Sequence, residues 1–258
     1  MSARPAVLVI AGSDSSGGAG IVRDLQVLGD LGVEALCAIT AVTAQTHARL
    51  VSVHHVPRQI VRAQIHCALE ARPIAAVKIG MLGTRETVNA VADCLPRQRT
   101  PPIVLDPVLL SSSGGVLLDE AGREAMRTRL FPLAALLTPN IPEAASLCGV
   151  AHAGGGAAAA SPDTLIAQAR ALLAMGARAV LLKGGHAPGA DSSDLLLSGQ
   201  GEPQWLYSPR LDASRRGTGC ALASAIAAGL ARGSSLEAAC RDAKRYVHSL
   251  LTQDPRSG

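Results

Sequence analysis

The stretch Ala6-Val7-Leu8-Val9-Ile10-Ala11-Gly12-Ser13-Asp14-Ser15-Ser16-Gly17-Gly18-Ala19-Gly20 decides the fold class. Six apolar residues in a row, with no polar alternation, read as a strand buried on both faces. Such a strand needs helices packed on either side. The Gly/Ser run turns the chain, and the pattern beyond it predicts a helix over Ala19–Leu31. Strand, loop and helix in that order are the opening unit of a parallel sheet.

The unit recurs along the chain. Strands are expected at Val33–Val42, Ala75–Ile79, Ile103–Leu105, Leu133–Leu137 and Ala179–Leu182. Helices are expected at Ile60–Glu70, Thr84–Cys94, Glu120–Leu130, Pro142–Leu147 and Thr164–Leu173. Asp194–Leu197 and Gln204–Tyr207 flank a Gly/Pro turn and read as an antiparallel hairpin at the sheet edge. Two helices come after it, Thr218–Ala231 and Leu236–Leu250. The low-complexity run Gly154–Ala160 reads as a surface loop, and strand spacing continues past it. The expectation is one α/β domain over residues 1–258: a mostly parallel central sheet, helices on both faces and an antiparallel edge hairpin.

Composition narrows the function classes. Net charge is +4, and the basic stretches Arg97–Arg99 and Arg215–Arg216 are too short for a nucleic-acid arm. One Trp, one Phe and two Tyr leave no platform on which bases could stack, so nucleic acid is not expected as a partner. Six cysteines without a C-x-x-C or a close pair suit free thiols in a reducing compartment. The run Ala6–Ala11 is too short for a signal segment or a membrane span. A cytoplasmic chain with no membrane partner is expected. Seven scattered histidines give no zinc spacing, and no G-x-S-x-G elbow supports a hydrolase.

In doubly wound sheets ligands gather at the carboxyl ends of strands, so the residues just past each strand carry the chemistry. The loop from Gly12 to Gly20 is tempting as a phosphate loop but lacks the Lys-Ser/Thr of a P-loop, and a plain glycine turn before a helix is the alternative. Asp24 on the next helix is either a dipole partner or a site carboxylate. Gln45, ending Ile39–Gln45, is either an ordinary loop amide or a reader of a heterocycle edge. Lys78 in Lys78-Ile79-Gly80-Met81 reads as an edge charge. Asp106 stands at a strand tip, where a phosphate-bound Mg²⁺ wants a carboxylate. Asn140 and Glu143 open a helix, where Glu143 could equally serve the dipole. Lys183-Gly184-Gly185-His186 lets an ammonium approach phosphate. Gly217-Thr218-Gly219-Cys220 presents successive N–H groups at a helix start, a nest for a transferring phosphoryl group. A cysteine there is expected to have a lowered pKa, against the alternative of a small buried hydrophobe.

Taken in order, these pieces resemble one family, hydroxymethylpyrimidine/phosphomethylpyrimidine kinase of the ribokinase-like superfamily, across nearly the whole chain. The resemblance implies a ribokinase-like fold and phosphorylation of a thiamin precursor and its monophosphate, with ATP as donor and Mg²⁺ as cofactor. It places Gly12, Asp24, Val42, Gln45 and Met81 around the pyrimidine, with Asp24 and Gln45 bonding its polar edge. It places Lys183 on the nucleotide phosphates, with Asn140 and Thr218 also at the nucleotide, and Asp106 and Glu143 near Mg²⁺. Gly217, Thr218 and Gly219 become the anion hole, and Cys220 the base. A homodimer is implied as well. The chain departs from the family pattern at Arg216, where His is common, at Thr46-His47, and in Leu109–Gly115, which lacks a Lys. A pyridoxal kinase is the nearest alternative, although no cysteine lies between Asp106 and Leu118. A silent pyrimidine-phosphate sensor is the other, and it has no need of Cys220 or Lys183.

Overall fold

The computed structural model describes residues 4–46, 48–95, 101–111, 114–149, 161–184, 191–199, 201–211 and 216–252. The run 154–160, His47, Gly185 and His186 lie outside them. Strands β1 (Ala6–Asp14), β2 (Glu34–Gln45), β3 (Leu50–His55), β4 (Ala76–Ile79), β5 (Ile103–Leu105), β6 (Leu136–Leu137), β7 (Ala179–Leu182), β8 (Asp191–Ser198) and β9 (Gln204–Pro209) form one sheet. Its order is β3-β2-β1-β4-β5-β6-β7-β8-β9. Pairing is parallel from β2 to β7, and antiparallel at β3, β8 and β9. The expected mostly parallel α/β sheet holds, edge hairpin included.

Side chains alternate along β1 as a twice-covered strand requires. Leu8 and Ile10 enter a core built with α2 (Arg58–Ala71), α3 (Arg85–Cys94), α4 (Glu120–Arg129), α5 (Ile141–Leu147) and α6 (Pro162–Ala174). Val7, Val9 and Ala11 enter the opposite core with α1 (Gly20–Asp30), α7 (Thr218–Ala231) and α8 (Leu236–Thr252). Helix α7 is buried almost all round, which explains its run of Ala and Gly: small side chains let it lie close to sheet and helices at once.

Two elements depart from the pattern of the sequence. The strand expected over Leu133–Leu137 is a 3₁₀ turn, Phe131–Leu133, and only two strand residues. Strand β3 is an addition. Its Leu-Val-Ser-Val-His-His sits on the sheet edge, mostly exposed, and lacks the apolar signal of a covered strand. Among the described residues no helix is long and apolar enough to cross a membrane.

Strand β1 lies between β2 and β4, so the chain leaves it towards one side of the sheet and later returns to the other. The crevice at that reversal, outside the carboxyl end of β1, is where such sheets hold ligands.

Candidate active site

Two helix starts meet at this crevice. Gly20 opens α1 with φ +59°, and a Cβ there would overlap the Gly12 carbonyl oxygen. Gly217 caps α7 with φ +76°, and a Cβ there would overlap the Gly18 carbonyl oxygen. Only glycine lets each helix start press onto the loop beside it. Neither helix has a side-chain cap or an acid in its first turn, whereas α3, α4, α5 and α6 are capped by Thr84, Asp119, Asn140 and Ser161. Helix α2 is uncapped as well, but α1 and α7 start at the crevice, and apart from the Gly20 N–H their free N–H groups and positive dipole ends are what an anion there could use.

Cys220 stands in the first turn of α7, and the Gly20 N–H donates to its sulfur. The expected lowering of its pKa is overturned. Burial pushes the thiol up to about 11; Lys78 and the Gly20 N–H pull it down, but Asp24 and Asp106 add to the rise. The helix start is real, yet desolvation outweighs it.

Asp24 is a correction too. It is wholly buried, with one carboxylate oxygen on Lys78 Nζ at 2.7 Å and the other on Ser224 Oγ at 2.8 Å. It has no surface to offer a pyrimidine. Lys78, read as an edge charge, lies in central β4 with no exposed surface. Burial alone would lower its pKa, and Asp24 more than reverses that.

Gly12 and Met81 do come together: a Cβ at Gly12 would stand 2.9 Å from Met81 Sδ, and the Met81 carbonyl accepts from Thr40 Oγ1 at 2.6 Å. Val42 on β2 is 49% exposed, an apolar side chain left uncovered at the same end of the sheet. Gln45 ends β2, its backbone tied on both sides to Ser15 Oγ. Arg216 Nη2 donates to Gln45 Oε1 at 3.2 Å, and Nη1 donates to the Thr46 carbonyl at 2.6 Å. The residue before the expected anion hole thus grips the expected ring reader, a link that no local pattern announced.

The tips of β5, β6 and β7 carry the remaining cluster. Lys183 Nζ donates to Asp106 Oδ1 at 2.8 Å and lies 3.9 Å from Glu143 Oε2. Burial would lower Lys183, but Asp106 and Glu143 hold it above the usual lysine value. Thr138 Oγ1 also donates to Asp106. Asn140 and Glu143 form a reciprocal capping box on α5, with Glu143 Oε2 accepting from the Asn140 N–H at 2.8 Å and Asn140 Oδ1 from the Glu143 N–H at 2.7 Å. Burial pushes Glu143 up to about 7, opposed by Lys183 and reinforced by Asp106. Gly219 closes the distance to α7, since a Cβ there would stand 3.2 Å from Lys183 Nζ and 3.9 Å from Asp106 Oδ2. Behind Lys183, the Gly184 N–H donates to Asp194, which also holds Lys244 at 2.7 Å. Sequence reasoning missed that pair because its members are 50 residues apart.

Two carboxylates around one ammonium suit Mg²⁺, which takes one or two protein carboxylates and fills its shell with water and phosphate oxygens. Among the described residues no three acidic, Cys or His side chains gather into a closed metal cage.

Residues 14–258 match the family described as phosphomethylpyrimidine kinase. A hydroxymethylpyrimidine/phosphomethylpyrimidine kinase of Streptomyces coelicolor is 44% identical over 249 residues, covering 96% of this chain and 89% of that protein. The thiamine biosynthesis bifunctional protein ThiED of Geobacter sulfurreducens is 42% identical over 96% of this chain, which spans 49% of that longer protein. Among solved structures, a phosphomethylpyrimidine kinase from Clostridium difficile superposes with TM-score 0.81 at 33% identity, covering 96% of this chain and all of that one. A pyridoxal kinase from Staphylococcus aureus, in complex with AMP-PCP and pyridoxal, superposes with TM-score 0.87 at 30% identity, covering all of this chain and 91% of that one.

Proposed function

The chain belongs to the phosphomethylpyrimidine kinase family, a family of phosphotransferases that use ATP, and from that premise we propose how its residues divide the work. It phosphorylates 4-amino-5-hydroxymethyl-2-methylpyrimidine and then the monophosphate, in thiamin biosynthesis. The observation that carries this reading is the meeting of two uncapped helix starts on Cys220, beside Lys183.

The proposed pyrimidine seat is Gly12, Met81, Val42 and Gln45. Gln45 reads the polar edge while Arg216 holds its amide oxygen. Asp24, displaced from that seat, serves underneath it. The N–H groups of Thr218, Gly219 and Cys220 receive the charge that spreads over the γ-phosphoryl oxygens in transfer. Lys183 supplies positive charge to the same phosphates, and Asn140 lies at the nucleotide's side. Asp106 and Glu143 would hold Mg²⁺, in part through water, and the ion would neutralise phosphate charge when bound.

In the first step the hydroxymethyl O–H proton passes to the Cys220 thiolate, the oxygen bonds to the γ-phosphorus, and the bond from that phosphorus to the bridging oxygen breaks, releasing ADP. In the second, an oxygen of the monophosphate attacks in the same geometry and yields the diphosphate. We read the protein as one kinase domain, cytoplasmic, with all six cysteines free, and as a homodimer. The pyridoxal kinase reading keeps one support, the close superposition on the Staphylococcus aureus structure.

A coupled ADP-release assay offering hydroxymethylpyrimidine, its monophosphate and pyridoxal side by side tests the proposal. Turnover of both pyrimidines, at a kcat/KM well above that for pyridoxal, is expected. A higher kcat/KM for pyridoxal would transfer the assignment to the alternative.

A further inference from the structure

The ends of two strands converge on the Arg216 guanidinium, just before the start of α7. Its Nη1 donates to the Thr46 carbonyl at 2.6 Å and its Nη2 to Gln45 Oε1 at 3.2 Å, so it grips the end of β2 twice. Nη2 also lies 3.8 Å from Asp14 Oδ2, at the end of β1. That carboxylate oxygen is buried and has no hydrogen bond among the described residues, which leaves the ion pair to hold it. The other oxygen of Asp14 is taken by the Ser16 N–H and hydroxyl.

A guanidinium is a rigid fork of donors with no acceptor. The part of the Gln45 amide that faces it must therefore be the oxygen. Turning the amide over would set its N–H groups against the guanidinium and forfeit the bond. Swinging the whole residue away is opposed as well, because Ser15 Oγ bonds both the N–H and the carbonyl of Gln45, each at 2.9 Å. The amide is thus held with its nitrogen as the end that a ligand can meet, and it offers a ring a donor.

The polar edge of the aminopyrimidine has a ring nitrogen beside the amino-bearing carbon, and that nitrogen is an acceptor. In the oxo analogue, 5-hydroxymethyl-2-methylpyrimidin-4-one, the same nitrogen carries a proton and is a donor. The two rings have nearly one shape and differ in the sense of their hydrogen bonds. We infer that Arg216 is a positioning residue that locks the Gln45 amide as a donor, and so selects the amino ring against the oxo ring. The inference rests on the reading of Gln45 as the residue at the polar edge of the ring. An amide without such a lock turns over and meets either ring.

Titration calorimetry with both rings, without nucleotide, tests this in wild type, Arg216→Ala, Gln45→Ala and the double variant. Wild type is expected to bind the amino ring at least about tenfold more tightly, since a donor facing a donor leaves both unpaired. Arg216→Ala is expected to bring the two affinities within about threefold, mainly through a gain for the oxo ring. In Gln45→Ala, where the reader is gone, adding Arg216→Ala should leave the ratio unchanged. Equal weakening of both rings by Arg216→Ala would make Arg216 a mere buttress of the crevice and overturn the inference. A wild type that binds both rings alike would overturn it too. Should Arg216→Ala fail to fold, Arg216→Gln decides in its place. Its own amide can donate or accept, so the same loss of discrimination is expected, and a preserved ratio sinks the idea. Gln45→Ala keeps the two readings apart. If it weakens the amino ring while Arg216→Ala leaves the ratio alone, Gln45 remains the reader and the lock falls. If it changes neither affinity, both fall.

Discussion

At Cys220 an ammonium and a helix N–H pull the proton off while burial and two carboxylates hold it on, and the second group prevails, lifting the thiol to about 11. A base must be deprotonated to act, so the free enzyme at neutral pH holds only a small thiolate fraction. The kcat/KM of the kinase is then expected to climb about tenfold per pH unit between roughly pH 7 and 10, as it does when the free enzyme's essential base is mostly protonated. A plateau across that range, in a pH–rate profile with hydroxymethylpyrimidine, would remove Cys220 from the role of base. In wild type at neutral pH, exposed Cys37 and Cys67 should be alkylated before it. The motif Gly-Thr-Gly-Cys was legible as a helix start with a thiol in it. The sign of the shift was not, because Asp24 and Asp106 lie 196 and 114 residues away in sequence. Lys78 shows the same limit: beside Ile79 it looks like any strand-end lysine, and only the partner 54 residues earlier makes burial tolerable.

At the scale of elements, α1 and α7 give up caps that α3, α4, α5 and α6 keep, so their starts are held by contact with neighbouring loops. Gly217→Ala should therefore lose on two counts. Its φ of +76° costs a residue with a Cβ about 1 kcal/mol or more, and the overlap with the Gly18 carbonyl displaces the N–H nest. Gly233, just past the end of α7, provides the comparison: φ is +85° but nothing stands within 4 Å of a Cβ there. Urea melts should show both Ala variants destabilised, while kcat falls at least about tenfold only for Gly217→Ala. Equal kcat values in the two variants would deny the nest a part in transfer. Periodicity made these helices and the parallel strands readable, since each buries a continuous face. It failed at β3, which is defined by pairing with β2 rather than by burial.

Across the whole molecule, the central sheet separates two cores, and β1 feeds both. Truncating Leu8, which has no exposed surface, should cost about 2–5 kcal/mol in chemical denaturation, the range for a large core side chain cut to Ala. Truncating Val51, 60% exposed on β3, should cost far less in the same melts. A similar loss at both would contradict the layer arrangement. The bond from Ser224 to Asp24 spans 200 residues and joins the first helix to the last but one. During synthesis Asp24 is thus translated 200 residues before its partner. A ribosome-bound nascent chain arrested before residue 218 carries the glycine loop, Lys78 and Lys183, but neither thiol nor nest. Its lone Lys78–Asp24 pair also lacks the helix that seals it from water. Such a chain is expected to lack phosphoryl transfer, since the proposed base and the proposed nest are both missing from it.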